Sequence, residues 1–252
     1  MSIKKLLGCI QKADRDYNLI NDKDYIAIGV SGGKDSMVLL YCMKIYQLVA
    51  KKVLNKEFDF IAIHIDMNFD GMDFSEVDSF CEKNGIKIHH EKSKIFNILE
   101  LHKKNEQIQC SLCSTLKKGA VNKVAKELGC NKVAFGHHAD DAVETLLMNA
   151  IYCGKLATFT PSMHLSNVDI DFIRPLIYAS EKDILSVLKK ENIPFVISTC
   201  PNEGITSRSE TKELLEDLYK KYPSAKANFL HMLSNSENVE LWHKNKDVNE
   251  KM

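Results

Sequence analysis

The sequence predicts an α/β fold in which helices cover both faces of a parallel sheet, with further helices at both ends of the chain. Short apolar runs alternate with longer amphipathic or apolar segments, and glycines or polar residues separate them. Such alternation is typical of βαβ units and favours a parallel sheet. The 252 residues, 44% of them apolar, are enough for a core of ordinary size.

The individual elements follow from periodicity and from the residues that end them. Strands are predicted over 25–30, 58–66, 86–91, 132–136, 169–174 and 194–197. Helices are predicted over 3–18, 36–54, 73–83, 94–103, 111–128, 139–152 and 180–191, with one or two more over 207–235. We therefore expect an N-terminal helix in 1–20, a central α/β domain in 21–205 and a helical extension in 206–252.

Charge and cysteine content limit the class of protein. Basic and acidic residues both number 34, so the net charge gives no sign of a nucleic-acid partner. No apolar run reaches the roughly 18 residues of a membrane span, and the N-terminus lacks the pattern of a signal peptide. We expect a cytoplasmic protein without a membrane partner, in which the eight cysteines are thiols, metal ligands or catalysts rather than disulfides.

A glycine segment, Ser31-Gly32-Gly33-Lys34-Asp35-Ser36, joins the first predicted strand to a helix. Glycines let the backbone approach an anion, and the helix start offers free N–H groups and a positive dipole end. Lys34 adds a charge, the serines add hydroxyl donors, and Asp35 can hold the Mg²⁺ that phosphates require. The glycines directly precede the lysine, so this is not the P-loop of kinases. The segment predicts a pyrophosphate-binding loop; the alternative is an ordinary glycine turn.

A second polar segment, Gly136-His137-His138-Ala139-Asp140-Asp141, follows the fourth predicted strand. Parallel strands end at a common edge of the sheet, so this segment is expected beside the glycine loop. We take Gly136, His137 and Asp141 as candidates for binding the nucleotide or its Mg²⁺. Asp66, at the end of the second strand, is a candidate for a ribose hydroxyl. The alternatives are that the paired carboxylates only cap a helix and that Asp66 serves a turn.

Three cysteines form a candidate metal site. Cys110 and Cys113 open a predicted helix, where free N–H groups favour thiolates, and Cys200 is the third. Zinc sites usually show two paired motifs, whereas three thiolates suit an iron–sulfur cluster whose open iron could bind sulfide and present it to a substrate. The alternative is an incidental set of thiols. The other cysteines are interpreted as small core residues: Cys9, Cys42, Cys81, Cys130 and Cys153.

The strand, SGGKDS, the helix and the later GHHADD resemble the PP-loop ATP pyrophosphatase superfamily. This resemblance implies a Rossmann-like fold of the adenine nucleotide alpha hydrolase type, with 21–205 as an ATP-binding catalytic domain. It also implies a common reaction. A substrate oxygen attacks the α-phosphate of ATP, pyrophosphate is held by the loop, and a nucleophile then replaces the activated oxygen.

Within that superfamily, SGGKDS, CSLCSTLKKG, GHHADD, IRPL and Cys200 together look similar to the tRNA 2-thiocytidine synthetase (TtcA-type) branch. The resemblance implies that Cys110, Cys113 and Cys200 ligate a [4Fe-4S] cluster and that the substrate is tRNA. It further implies a homodimer. The sulfur donor is expected to be sulfide or a cysteine desulfurase, and the sequence does not decide between them. The chain departs from the branch at Ala139, where a basic residue is usual, and at Glu203, where a second C-x-x-C would end.

Our hypothesis is an ATP-dependent tRNA sulfurtransferase in which Lys34, Asp35 and the three cysteines are catalytic. The alternatives are a PP-loop enzyme that installs nitrogen, one that thiolates uridine or another substrate, and an iron–sulfur RNA-binding sensor. The roles of Arg174 and of five lysines each have two interpretations. Arg174 either contacts phosphate or makes a structural ion pair. Five lysines form part of a tRNA-facing patch or belong to solvated helix faces: Lys103, Lys104, Lys117, Lys118 and Lys123.

Overall fold

The computed structural model describes residues 2–69, 71–103, 108–200, 207–235 and 241. One six-stranded sheet lies at the centre of the fold. Its strands are β1 (Tyr25–Gly29), β2 (Asp59–Asp66), β3 (Ile88–Lys92), β4 (Lys132–Ala134), β5 (Ser162–Leu165) and β6 (Ile170–Ile173). They lie in the order β3-β2-β1-β4-β6-β5. All neighbours pair in parallel except β5 and β6, which are antiparallel. The predicted α/β class is confirmed.

Nine α-helices accompany the strands in the described ranges. They are α1 (Ile3–Tyr17), α2 (Lys34–Val49), α3 (Ser75–Lys83), α4 (Ile95–Leu101), α5 (Cys110–Glu127), α6 (Ala139–Cys153), α7 (Glu181–Lys190), α8 (Ser207–Lys221) and α9 (Ala225–Leu233). The end of the predicted helix over 36–54 is a π-helical turn, Ala50–Leu54. No helix in these ranges is long and apolar enough to cross a membrane.

Two apolar cores lie on the two faces of the sheet. One is filled by side chains of α1, α2, α3 and α7, and the other by side chains of α4 and α5. Because both faces are covered, the central strands read as nearly continuous apolar runs. The apolar stripe of α1 is buried through Leu6, Ile10 and Ala13, so the N-terminal helix shares the first core.

The neighbours of β1 set the position of the site. The chain runs outward from β1 to β2 and β3 on one side, and then returns to place β4 on the other side. The carboxyl ends of β1 and β4 therefore flank the crevice at which ligands bind in open α/β sheets. The glycine loop follows β1 and the GHHADD segment follows β4, as the sequence predicts.

Two strand predictions need correction. Residues 194–197 are not a strand: Val196 donates one backbone hydrogen bond to the Gly32 carbonyl, at 2.9 Å, and the segment is otherwise irregular. The adjacent β1 already has a strand on each side, and Pro194 has no N–H to offer. Conversely, β5 was not predicted. It is a short edge strand with exposed Met163 and His164, so its sequence lacks an apolar run.

A buried ion pair supports the start of the sheet. Lys132 Nζ lies 2.8 Å from Asp24 Oδ2, and both side chains are about 5% exposed or less. We expect Lys132→Met to lower the free energy of unfolding by about 3–5 kcal/mol, because it leaves a buried carboxylate without its cation. Lys51→Met, which breaks the exposed pair with Glu57, should cost about 0–1 kcal/mol. Urea denaturation measures both; equal losses would contradict the account.

Candidate active site

The glycine loop turns sharply between β1 and α2. Gly32 has φ of +84°, and a Cβ there would lie 2.8 Å from the Phe74 ring, so the position requires glycine. Gly33 is the N-cap of α2, and no side chain caps that helix. Instead Ser36 Oγ donates to the Gly33 carbonyl at 2.8 Å, and the Gly33 N–H donates to Ser31 Oγ at 3.3 Å. The helix start therefore presents N–H groups and hydroxyls suited to phosphate oxygens.

Lys34, the first residue of α2, is held by an acidic partner that sequence reasoning missed. Its Nζ lies 2.5 Å from Glu181 Oε1, and Lys212 Nζ lies 2.7 Å from Glu181 Oε2. Burial raises the pKa of Glu181, but hydrogen bonds from Lys212 and Lys34 outweigh this and lower it to about 2. Glu181 thus stays ionised and orients the lysine. Because 147 residues separate Lys34 from Glu181, no local pattern could reveal the pair.

Asp35 presents a carboxylate suited to a metal ion. Its Oδ1 is buried and has no hydrogen-bond partner among the described residues. Burial raises its pKa, and nearby His138 opposes this, with Nε2 at 3.8 Å from Oδ1. A buried carboxylate oxygen without a partner is costly unless a donor or a cation fills the place. The orphaned oxygen therefore fits the predicted Mg²⁺ ligand.

The GHHADD segment leads into α6, and the side chains of its two histidines face different neighbours. His138 is the N-cap and forms a capping box with Asp141: the His138 N–H donates to Asp141 Oδ2 at 2.9 Å. His138 therefore faces Asp35, whereas His137 stacks towards Phe159, with 5.1 Å between ring centroids. Asp141 thus caps the start of α6, as the alternative given for the paired carboxylates expects. His138 was not among the predicted site residues, although its side chain is the one beside the glycine loop.

Gly136 lies against the backbone of the glycine loop. A Cβ at this position would stand 2.9 Å from the backbone carbon and oxygen of Asp35, which cannot move without displacing the loop. Gly136→Ala should therefore lower the free energy of unfolding by about 1–3 kcal/mol and weaken ATP binding. Gly119→Ala, exposed on α5 with nothing within 4 Å of the added carbon, should instead add up to about 1 kcal/mol. Denaturation and ATP titration of both variants check this pair; normal ATP affinity in Gly136→Ala would contradict it.

The helices after residue 206 contact the same segment through charge. Arg208 Nη1 lies 2.9 Å from Asp141 Oδ1 and 3.7 Å from Glu144 Oε2. Lys226 pairs with Asp140, whose other oxygen accepts from the Glu181 N–H at 2.8 Å. The acidic groups at the start of α6 are therefore neutralised by α8 and α9. Asp66, by contrast, accepts from the Asn68 N–H at 2.8 Å, as its turn alternative expects, and it stands at the carboxyl end of β2.

Two of the three candidate cysteines lie in the first turn of α5, and the third, Cys200, lies within range of their charges. Cys110 is the first residue of that helix, and Cys113 lies one turn later, half-buried. Burial raises the pKa of Cys113, nearby Lys117 lowers it, and the charges of Cys200 and Cys110 raise it. The Cys113 thiol therefore lies close to the other two. Cys200 is also half-buried, and the stretch after it, with Glu203, lies outside the described residues.

The chemistry of this donor set fits an iron–sulfur cluster better than a single ion. No three His, Cys, Asp or Glu side chains in the described ranges are grouped so as to hold one metal ion. A [4Fe-4S] cluster binds each thiolate on a different iron, so its ligands need not meet at one point. All eight cysteines are free thiols. One core assignment was wrong: Cys153 is exposed at the end of α6, where the helix leaves the core.

The lysines of the suggested RNA-facing patch separate into two groups. Lys103, just after α4, pairs with Glu100, and Lys123 pairs with Glu127 on α5; both are exposed pairs, as expected of solvated lysines. Lys117 and Lys118 are half-buried instead, Lys117 beside Cys113 and Lys118 near two arginines. Lys104 lies outside the described residues. The second group is therefore less accessible to solvent than Lys103 and Lys123.

Comparison with known proteins agrees with this geometry. Residues 4–208 match the family described as PP-loop domain. The chain is 35% identical over 234 residues to the tRNA-cytidine(32) 2-sulfurtransferase of Geobacter sulfurreducens, covering 92% of this chain and 90% of that protein. It is 36% identical over 234 residues to the protein of the same name from Pelobacter propionicus, covering 92% and 86%.

A solved structure is similar over most of the chain. The U34-tRNA thiolase NcsA from Methanococcus maripaludis, determined with its [4Fe-4S] cluster, aligns with a TM-score of 0.73 and 25% identity. The alignment covers 96% of this chain and 81% of that chain. The resemblance to PP-loop enzymes and to tRNA thiolases is confirmed. The chain therefore belongs to the PP-loop domain family and groups with relatives named tRNA-cytidine(32) 2-sulfurtransferase.

Proposed function

We propose that this chain is an ATP-dependent tRNA sulfurtransferase that replaces the C2 oxygen of a cytidine with sulfur. One observation carries the proposal: the glycine loop and the cysteines lie at the same edge of the sheet. α5 leads into β4 and packs on β1, β2 and β4, so it runs antiparallel to the strands and begins at their carboxyl edge. That beginning is Cys110. The names and the length coverage of the relatives support the choice of substrate.

In the first step of the proposed reaction, the glycine loop binds ATP and the base is adenylated. Lys34, the hydroxyls of Ser31 and Ser36 and the N–H groups at the start of α2 bind the two terminal phosphates, and Asp35 binds Mg²⁺. The C2 oxygen of the base attacks the α-phosphorus. A new O–P bond forms, the bond between the α-phosphorus and the bridging oxygen breaks, and pyrophosphate leaves. Donors fixed in advance around the developing charge lower the barrier.

In the second step, which depends on the three cysteines, sulfur replaces the activated oxygen. Cys110, Cys113 and Cys200 would hold a [4Fe-4S] cluster, which when bound supplies an open iron for the incoming sulfur. We propose sulfide as the sulfur donor; a cysteine desulfurase, which passes on sulfur as a persulfide, would supply it together with a thiol reductant. Sulfide supplies the electron pair of the new C–S bond, the C–O bond breaks and AMP leaves with the oxygen. No net oxidation or reduction occurs in this exchange, so no further reactant is needed.

Assembly and location complete the proposal. A homodimer is supported by exposed apolar side chains near the end of α6, Ile151, Tyr152 and Leu156, which a second copy could cover. Light scattering should then give twice the chain mass. A cytoplasmic location goes with a tRNA substrate and with cysteines that are all free thiols.

Reconstitution of the purified protein tests the proposed reaction. With cluster, sulfide, MgATP and a tRNA transcript carrying cytidine at position 32, AMP and 2-thiocytidine should form in equal amounts. The matched control is the same transcript with uridine at position 32, which should yield neither. Product containing new nitrogen instead of sulfur would favour the amidating alternative. Bound RNA without AMP release would favour the sensor alternative, and either result would contradict our proposal.

A further inference from the structure

Arg174 is a buried cation without a carboxylate partner in the described part of the chain. It follows β6 directly and is only 5% exposed. Its Nη1 donates to the Thr160 carbonyl, and its Nε has no partner among the described residues. The guanidinium lies over the rings of Phe159 and Phe172, at 4.8 and 5.4 Å from their centroids. The structural ion pair considered for this residue is therefore not found in these ranges.

The charge of this guanidinium persists in spite of its burial. Burial lowers the pKa of Arg174 to about 10, so the side chain is still protonated at neutral pH. A buried charge is costly unless an opposite charge or hydrogen-bond partners compensate it. The aromatic rings and one carbonyl compensate only part of that cost, which leaves Nε available to an anion.

Two further groups lie within range of the Arg174 charge. Lys118, on α5, is half-buried, and burial together with the charges of Arg174 and Arg208 lowers its pKa. His137 has a buried Nδ1 without a partner among the described residues. Burial, followed by the charge of Arg174, lowers the pKa of His137 to about 4, so its ring is neutral. Phe159 contacts both His137 and Arg174, so the two residues with an unpartnered nitrogen meet at one ring, in what we term the Phe159 pocket.

The pocket lies at the same edge of the sheet as the glycine loop and the start of α5. His137 follows β4 and Arg174 follows β6, and these strands pair with Ala134 opposite Ile173. Both residues therefore lie beyond the carboxyl edge, His137 one strand and Arg174 two strands away from β1 and its glycine loop. Lys118 reaches the pocket from the helix that begins with Cys110 and Cys113. The pocket is thus one strand from the loop at His137, and Lys118 relates it to the helix on which Cys110 and Cys113 lie.

We propose that Arg174, Lys118 and His137 form a second phosphate site, separate from the glycine loop, that binds a single phosphate ester. A guanidinium, an ammonium and an imidazole N–H are donors matched to the oxygens of one phosphate. Under the proposed function, on which this inference rests, two sources present such a group here. One is the α-phosphate of ATP, which stays on the activated base and then leaves as AMP. The other is a backbone phosphate of the tRNA.

Ligand titrations distinguish these sources. In the full-length protein, Arg174→Gln should weaken AMP binding by about 10- to 100-fold, the loss expected for a charged hydrogen bond. Binding of adenosine and of inorganic pyrophosphate should not change, because neither uses this site. If the phosphate comes from tRNA instead, AMP binding stays normal. The tRNA affinity then falls, and the slope of its logarithm against log salt decreases by about one.

A charged residue on α5, the helix that carries Lys118, provides the control. Lys126→Gln, which removes an exposed lysine paired with Asp169, should leave all four ligands unaffected. If Arg174→Gln changes neither AMP nor tRNA binding more than this control, the inference is wrong. These titrations need no thiolation, so a failure of the proposed reaction would not mimic that result.

Stability separates a ligand site from a structural role. Because Arg174→Gln removes a buried charge, the free energy of unfolding of the ligand-free protein should stay the same or rise. A clear loss of stability would indicate that Arg174 serves the fold and would overturn the inference. If that variant does not fold, Lys118→Gln, at a half-buried position, provides the same titrations.

Discussion

Cys200→Ala should abolish the iron–sulfur cluster and the formation of thiolated tRNA while ATP binding persists. Under the proposed ligation each of the three thiols holds a different iron, so loss of one would leave the cluster with two protein ligands. Mutation of residues that only hydrogen-bond to metal ligands typically lowers metal affinity or activity by about 10- to 100-fold. We expect loss of a ligand itself to reduce the amount of thiolated product by more than about 100-fold. ATP affinity should stay within about twofold, because the glycine loop between β1 and α2 supplies its own donors.

Anaerobic iron and sulfide analysis, visible absorption and ATP titration check this result. The matched control is Cys153→Ala, which removes an exposed thiol at the far end of α6 and should keep both cluster and activity. A full [4Fe-4S] complement in Cys200→Ala would show that the ligand assignment is wrong. Loss of ATP binding in the same variant would instead show that the two halves of the site do not act separately.

Lys34→Met should slow AMP release by about 10²- to 10³-fold, the usual effect of removing one fixed donor to developing charge. The lysine begins α2 and is oriented by Glu181, whose second cation is Lys212. When phosphates enter the loop, we expect the ammonium to remain in place and to interact with both anions. The cluster content should not change, since no cysteine contacts this lysine in the described structure.

A quenched-flow assay of AMP release measures this effect. Lys44→Met provides the control on the same helix, because that lysine contacts only the carbonyl of Gly85 among the hydrogen bonds of the described residues. Glu181→Gln should cause a smaller loss, because it keeps the lysine and removes only its orientation. An AMP release rate in Lys34→Met equal to that of Lys44→Met would contradict the role of the loop lysine.

Local sequence signals were sufficient for the sheet and the loop. The central strands are buried on both faces and so appear as apolar runs, and glycine followed by polar donors marks the turn after β1. The edge strand β5 was missed because exposed positions carry no such pattern. The segment 194–197 was overpredicted because apolar residues near a proline resemble a strand, even though no free sheet edge was available beside β1.

The site was predicted less completely than the fold, because several of its contacts join distant parts of the chain. Glu181 and Arg208 carry no motif, and only the folded chain brings them to Lys34 and Asp141. The direction in which neighbouring side chains point also could not be predicted from the sequence. His137 and His138 are adjacent, yet one faces the aromatic pocket of Arg174 and the other faces Asp35.

The most direct test of the central claim is mass spectrometry of tRNA nucleosides from cells that lack this protein. We expect 2-thiocytidine to disappear, to return when the natural chain is supplied, and to stay absent when Cys200→Ala or Lys34→Met is supplied. Other thiolated nucleosides should remain at their normal level. Unchanged 2-thiocytidine in the deletion, or restoration by Cys200→Ala, would contradict the account.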